Sequence, residues 1–589
     1  MSVVRNLRTP TVKGGEIVTR LLAAEGVDRV FGIIDGTYFG LYSTFDANGI
    51  RLITPRHEAS AVHMAGAHAR LTSTLGVCLA SNGPGVANAL PGVAVENAEG
   101  NRVLLITSSR RHAIVEPDRG GTFQCFPQTQ VIGAMSKLSL HVPSFDRIAE
   151  LTRRALRACF TGRPGVVHLD IPEDLMNSSQ AEDPRWFVQP AQYRVAGSFA
   201  PRPAEVKAAA DLLLGAERPL IHAGSGVLHA SASQELMDVA ELLRAPVTTS
   251  WAARAVLDER HELAVPMIYL GAVNQARNEA DAVLVLGSRL GETDWWGKPP
   301  YWAPADQQAM VQVDIEPDIL GNIRPIEVPV LADCKEFLIA LAEELRTRRR
   351  PAPRTSWLKG IRKAITKRRA ALDKHLKKTS MPMHPAQVPV ACQEVFGDDA
   401  IVVVDGGNTA VWTNFFTQIR TPNTLLTTPK MGMLGAGCAQ PLAAKAAFPD
   451  RAVYCVIGDG AMGFHPQEIE TAVRNGLNVV WVVLCDKQWG MVKMNQQFAL
   501  RPVKTLLKGA LDADETINAD LCEIRFDALA RSMGAHGERV ADPAGLRGAL
   551  KRAVASGKPA VVHVDVDPVA HMWAPNLKDF KDMHAEPAG

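Results

Sequence analysis

The stretch 453-VYCVIGDGAMGFHPQEIETAVRNGLNVVWVVLCDKQ-488 decides the fold. It opens on an apolar run over 453–457 and turns through Gly458-Asp459-Gly460 into residues 461–464. A helix is expected over 467–475, and a second apolar run over 479–484 ends in Cys485-Asp486-Lys487-Gln488. Two such runs joined by one helix belong close together in a parallel sheet covered on both faces. Asp459 and Asp486 then project from carboxyl ends of strands, where α/β sheets bind ligands. Two oxygen donors there, with glycine on either side of the first, suit Mg²⁺ and a diphosphate. Hard oxygen ligands are what Mg²⁺ prefers, and the helix after Gly460 presents backbone N–H groups to an anion.

The same alternation extends outward. Strands are expected at 29–34, 51–54, 76–80, 103–107 and 166–169, with helices at 16–25 and 59–70. A second set of strands is expected at 219–223, 246–250, 282–287 and 310–314, and further third-segment strands at 400–405, 452–458 and 560–566. The fold class expected is α/β, with three doubly wound parallel-sheet domains. A chain of 589 residues has room for about three to four domains at ~150 residues each. With 47% hydrophobic and 21% charged residues it is not a disordered chain. Its net charge of +2 gives no support for nucleic-acid binding through a basic surface. Nine cysteines without a CxxC pair read as reduced thiols, so neither a disulfide framework nor a zinc site is indicated. The N-terminus has no apolar core of a signal peptide and no apolar run approaches ~20 residues, so a cytoplasmic protein outside the membrane is expected.

The strand–GDG–helix–strand arrangement resembles the thiamine diphosphate enzymes, whose diphosphate motif opens with GDG and closes with paired Asn. Here the pair is Cys485-Asp486, which keeps an oxygen donor and adds negative charge. The resemblance implies that Asp459, Asp486 and the Gln488 carbonyl hold Mg²⁺. It places Gly458, Gly460, Ala461 and Gly490 around the cofactor. Arg56-His57-Glu58-Ala59 resembles the family's RHE element, which makes Glu58 the carboxylate beside N1′ of the aminopyrimidine. A Glu at a helix start is otherwise a common dipole interaction. Ser81-Asn82-Gly83-Pro84-Gly85 resembles the loop lining the pyrimidine and substrate pocket. Asp405-Gly406-Gly407-Asn408-Thr409 resembles the diphosphate-anchoring turn, with Gly406 and Asn408 on the cofactor. In the Met431–Gly437 stretch the Gly432 carbonyl is expected to accept from the 4′-amino group, and Leu434 to wedge the cofactor into its bent form.

The domains implied are a pyrimidine-binding domain over 10–180, a central nucleotide-binding-like domain over 200–345, a basic linker over 346–384 and a diphosphate-binding domain over 385–570. The tail 571–589, with His571, Trp573, Pro575 and Phe580, reads either as an active-site lid or as a contact with a neighbouring subunit. The linker reads as a solvated stretch carrying an exposed helix, or as a contact for an anionic ligand. In the family the cofactor lies between subunits, so a homodimer is the minimum unit and a homotetramer the expected one.

Three features bear on the reaction. Phe123-Gln124-Cys125-Phe126-Pro127-Gln128 resembles the FQxFPQ element of 2-hydroxyacyl-CoA lyases. The stretches 296–302 and 311–315 resemble the central domain of oxalyl-CoA decarboxylases and those lyases. The flavin-binding stretch of acetohydroxyacid synthases has no counterpart, since 249-TSWAARAV-256 stands there, so FAD is not expected. Arg157 and Asp314 match nucleotide contacts for ADP or CoA, although Ser225 replaces a lysine that relatives use. The resemblance thus implies a carbon–carbon lyase that cleaves a 2-hydroxyacyl-CoA to formyl-CoA plus an aldehyde or ketone. Gln124 and His571 are the residues expected to orient the substrate hydroxyl and handle its proton. Alternatives are acetolactate formation or 2-oxo acid or oxalyl-CoA decarboxylation, with 491-MVK-493 looking synthase-like. A catalytically silent thiamine-binding scaffold is a third, set against the survival of Glu58, Asp459 and Asp486.

Overall fold

A computed structural model describes residues 10–115, 119–195, 197–349 and 355–576. The chain divides into two units, 1–197 and 198–589. The first unit contains one six-stranded parallel sheet and the second contains two. In the first unit the sheet runs Arg51–Ile53, Arg29–Gly32, Gly76–Ala80, Val103–Ser109, Val166–Pro172, Leu138–His141. Numbered by chain order within the sheet, this is 2-1-3-4-6-5. The last sheet runs Leu425–Leu426, Ile401–Asp405, Val453–Gly458, Val480–Cys485, Ala560–Asp565, His536–Val540, which is the same order. The middle sheet is wound differently. It runs Ala264–Val265, Val247–Thr249, Pro219–Ala223, Ala282–Leu286, Ala309–Asp314, Val328–Leu331, or 3-2-1-4-5-6. Along the chain, then, two α/β domains of one topology come before and after one of dinucleotide-fold topology.

The inner strands carry the fold because their sequences cannot face water on either side. Gly76–Ala80, Val453–Gly458 and Val480–Cys485 are buried at every position. Helices that are equally apolar, such as Glu58–Thr72 and Ala436–Ala447, cover them. The expected strands all exist, with ends differing by one to three residues. The outer strands Leu138–His141, His536–Val540 and Val328–Leu331 had no expected counterpart. They alternate or are largely half-exposed, as edge strands do; the first two lack a continuous apolar run, and Val328–Leu331 is a four-residue run interrupted by Pro329. The nine cysteines are all free thiols, and no helix among the described residues is long and apolar enough to cross a membrane.

The basic segment is more than a solvated linker. It contains the helix Thr355–Leu372, whose Trp357, Ile361 and Leu372 are buried. They join one hydrophobic cluster with Leu220 and Trp302 of the middle domain and Trp412 and Phe416 of the last. Its lysines and arginines occupy the remaining face, where only their stems need cover apolar surface. Replacing Ile361 with Ala should cost about 2–5 kcal/mol in urea denaturation. Lys363→Ala, on the exposed face of the same helix, should fall within about 0.5 kcal/mol of wild type. Equal effects would mean that the helix is not seated through this face.

Candidate active site

In the last sheet the strand order reverses between Ile401–Asp405 and Val453–Gly458, and such a reversal opens a crevice at the carboxyl ends. Asp405 closes one side of it. Its Oδ1 accepts from the Gly406 N–H at 2.6 Å, and its Oδ2 accepts from the Gly435 and Gly437 N–H groups at 2.9 and 2.7 Å. One carboxylate thus lashes the 431–437 loop to the strand end. Gly437 must be glycine here, because a Cβ would lie 2.6 Å from the Asp405 Cβ. Gly406 is at φ +100°, a conformation that glycine alone adopts without strain. Beside this turn is a cavity of about 270 Å³, walled by Asp405, Gly406, Gly432, Met433, Leu434 and Met491 from the last domain and by Trp251, Leu270 and Thr293 from the middle one. Gly432 and Leu434 thus line one chamber.

Asp459 and Asp486 stand at the ends of adjacent strands. Asp459 Oδ1 accepts from the Gly460 N–H and Oδ2 from the Lys487 N–H, each at 2.8 Å, so this side chain ties the two strand ends together. Burial and the neighbouring Asp486 charge push the Asp459 carboxyl up to about 7. Asp486 Oδ2 accepts from His571 Nδ1 at 2.6 Å and from Gln488 Nε2 at 3.1 Å. Gln488 also donates to the Pro568 carbonyl, at 2.8 Å. Asn408, in the first turn of the helix Gly407–Phe416, is buried, and its Oδ1 has no hydrogen-bond partner. Gly490 lies against it, since a Cβ there would meet Asn408 Nδ2 at 2.7 Å. A half-buried and a buried carboxylate that repel each other, with an unpartnered amide oxygen nearby, form a donor set that fits a hard divalent cation with a diphosphate. Gly458 and Ala461 flank Asp459 at the strand end and in the helix Asp459–Met462.

The tail is fixed onto this site as far as it is described. The short helix Pro568–Met572 is capped by Asp567, whose carboxylate accepts from the Val569 and Ala570 N–H groups. The His571 carbonyl accepts from Trp412 Nε1 at 2.9 Å, and Trp573 Nε1 donates to the Gly509 carbonyl at 2.6 Å. Asn576 lines the cavity. Phe580 and the rest of 577–589 lie outside the described residues, as do 350–354 of the basic segment.

Glu58, Gly85, Gln124 and Arg157 belong to the first unit. Glu58 is the first residue of the helix Glu58–Thr72 and is buried, with Oε2 accepting from Asn88 Nδ2 at 3.1 Å. Gly85 sits against it: a Cβ there would meet Ser81 Oγ at 2.6 Å and Glu58 Oε1 at 3.3 Å. The Tyr38 phenol is pushed far up by burial and by the Asp35 and Glu58 carboxylates, so it stays protonated and donates to the Ile33 carbonyl. Gln124 is at φ +53° and its carbonyl accepts from Asn82 Nδ2 at 3.0 Å. Gln128, four residues on, is buried and donates to the Ser108 carbonyl and to Asp170 at 2.7 and 2.5 Å. Asn88 and Tyr38 carry no motif of their own; helix and strand geometry brings them to Glu58. Asp405 opens the quoted 405–409 stretch, but its grip on the 431–437 loop is visible only in the fold.

The residues matched to nucleotide contacts are differently placed. Arg157 Nε donates to the Tyr193 carbonyl at 2.6 Å. Asp314 ends a strand of the middle sheet in the second unit; its Oδ1 accepts from the Glu316 N–H at 3.0 Å, and burial raises its carboxyl. At the switch point of that sheet Gly224 and Gly226 press on Gly287, where a Cβ on Gly224 would come within 2.2 Å of the Gly287 carbonyl. Arg254, in the stretch that stands in place of the flavin-binding one, is buried on Glu259 at 2.7 Å and on the Asn414 and Thr417 carbonyls.

The raised Asp459 carboxyl has a signed consequence for stability. A carboxyl with a raised folded-state value holds its proton better in the native than in the unfolded chain, so its contribution is present below about 4 and lost as pH rises through about 7. Burial lowers the imidazoles of His68, His168 and His384 to about 4, which tilts the curve the other way, so a difference measurement is needed. In EDTA, the unfolding free energy of wild type minus that of Asp459→Asn should fall between pH 4 and 7. Parallel curves would show that Asp459 feels no such repulsion.

The sequence matches three family models. Residues 12–131 match the N-terminal TPP binding domain of thiamine pyrophosphate enzymes, 206–341 the central domain, and 405–564 the C-terminal TPP binding domain. A probable acetolactate synthase of Mycobacterium bovis is 31% identical, covering 96% of this chain and 98% of that protein. A probable acetolactate synthase large subunit of Methanocaldococcus jannaschii is 28% identical, covering 95% and 92%. An acetolactate synthase large subunit of Parasynechococcus marenigrum is 29% identical, covering 94% and 88%. With all three domains matched in order and similarity extending along nearly the whole chain, the protein belongs to the thiamine pyrophosphate enzymes, in their acetolactate synthase-like branch.

Proposed function

We propose that this protein is a thiamine diphosphate- and Mg²⁺-dependent enzyme of the acetolactate synthase type. It would take a 2-oxo acid such as pyruvate, release its carboxylate as CO₂, and join the remaining acyl carbon to the carbonyl of a second 2-oxo acid. The observation that carries this reading is the similarity to proteins named acetolactate synthase along 94–96% of the chain. The mostly apolar chamber beside Gly432 and Leu434 supports it. So does Met491, which opens the synthase-like 491–493 run and forms part of the chamber wall.

Bound thiamine diphosphate supplies an acidic carbon, C2, and an electron sink. The protein's part is to hold the cofactor, move one proton and shape the pocket. Asp459, Asp486 and the Gln488 carbonyl would hold Mg²⁺, while the backbone N–H groups of Gly407, Asn408 and Ala461, in the first turns of their helices, would serve the diphosphate. The Gly432 carbonyl would take a hydrogen bond from the 4′-amino group, with Leu434 as the steric wedge. Glu58, kept in place by Asn88, would exchange a proton with N1′ of the aminopyrimidine. Gln124 would orient the substrate oxygen. Because Glu58 and the diphosphate residues fall in different units of the chain, the site is proposed to form in a homodimer or larger assembly.

The 2-hydroxyacyl-CoA lyase reading keeps the support of the 123–128, 296–302 and 311–315 stretches. Its nucleotide contacts are the weaker part: the Arg157 Nε is already engaged by the Tyr193 carbonyl, and Asp314 Oδ1 by the Glu316 N–H. Purified enzyme supplied with Mg²⁺ and thiamine diphosphate should form acetolactate from pyruvate, identified by mass spectrometry. Formyl-CoA from a 2-hydroxyacyl-CoA, with no product from pyruvate, would replace this reading with the lyase one. Glu58→Gln should slow exchange of the cofactor C2 proton by about 10²-fold or more. An unchanged exchange rate would remove Glu58 from its assigned role.

A further inference from the structure

Where the family pattern ends in asparagine, this chain has Asp486. An asparagine amide offers a cation one oxygen and no net charge. A carboxylate offers two oxygens and a full negative charge, beside a second carboxylate on Asp459. The structure shows how the difference is absorbed. Both donors that reach Asp486, His571 Nδ1 at 2.6 Å and Gln488 Nε2 at 3.1 Å, land on the same oxygen, Oδ2. Oδ1 is left to play the part of the amide oxygen.

His571 is placed for this. A carboxylate only accepts, so Nδ1 carries a proton, and Nε2 lies 3.1 Å from the Thr409 hydroxyl. Both ring nitrogens are engaged, and the residue is only 4% exposed. Its backbone is held by the Asp567 carbonyl, to which its N–H donates at 2.8 Å, and by Trp412. The ring is thereby directed at Asp486 and Thr409, within the metal end of the site.

We propose that His571 is a positioning residue that occupies one oxygen of Asp486 and so turns an aspartate into a single-oxygen metal ligand. The inference rests on the reading of Asp459 and Asp486 as Mg²⁺ ligands. It assigns the C-terminal helix a task at the diphosphate end of the cofactor, whatever the chemistry at the other end.

The test is a double-mutant cycle on the full-length protein, with Mg²⁺ titrated at fixed thiamine diphosphate and binding followed by tryptophan fluorescence. His571→Leu should weaken Mg²⁺ about tenfold or more, in the range seen when the partner orienting a metal ligand is removed. His571→Asn, which keeps an N–H near the Nδ1 position, should recover most of that loss. In an Asp486→Asn background, His571→Leu should weaken Mg²⁺ by less than about threefold, because the amide no longer has a second oxygen to occupy. Wild-type affinity in His571→Leu would overturn the proposal, as would an equal loss in both backgrounds. If Leu prevents folding, His571→Gln, which abolishes the Nδ1 donor but retains a polar group, takes its place in the same two backgrounds. A loss confined to the Asp486 background is again the expected result, and wild-type affinity or an equal loss in both again overturns the proposal. Absence of Mg²⁺-dependent binding in wild type would instead overturn the reading of the metal site itself.

Discussion

The like charges of Asp459 and Asp486, brought to neighbouring strand ends in a sheet covered on both faces, set the terms for the second unit. Strands that are buried throughout fix where the two carboxylates emerge, and neither can swing away. Asp459 is held by the Gly460 and Lys487 N–H groups, and Asp486 by His571 and Gln488. The repulsion is therefore built in, and it is relieved in two ways: a proton on Asp459, or a cation between the strand ends. The second route would make a metal part of the architecture and, under the proposed function, would link cofactor binding to the fold.

Around that pair the chain uses backbone more than side chains. Asp405 collects three N–H groups with one carboxylate, which brings the 431–437 loop over the switch-point crevice. Gly437, Gly490 and Gly85 each stand where a methyl group would collide with a site residue. The first unit repeats the strand order and presents Glu58 after its second strand. Under the proposed function, two copies of one topology would carry the two ends of the cofactor chemistry. The middle domain, wound in dinucleotide order, contributes Trp251, Leu270 and Thr293 to the chamber wall.

Much of this was legible in the sequence, for a physical reason. Strands buried on both faces must be continuous apolar runs, so 453–458 and 480–485 stood out, and the GDG turn between strand and helix pointed to the site. Half-exposed strands such as Leu138–His141 and His536–Val540 leave no such run. The helix at 355–372 could be expected from its composition, but not that Trp357 and Ile361 would bind two domains together. His571 was conspicuous in the tail as a functional residue, yet its partner Asp486 lies 85 positions away and only the folded chain reveals the pairing. The substrate was the least legible feature. Short resemblances at 123–128, 296–302 and 311–315 favoured an acyl-CoA, whereas similarity to proteins named acetolactate synthase along nearly the whole chain supports the proposed 2-oxo acid.

If a divalent cation between Asp459 and Asp486 makes the diphosphate site, cofactor binding must depend on it. Calorimetric titration of the wild-type protein with thiamine diphosphate, in Mg²⁺ and in EDTA, tests this directly. Saturable binding in Mg²⁺ that disappears in EDTA is the predicted result. Equal affinity in both conditions would contradict it.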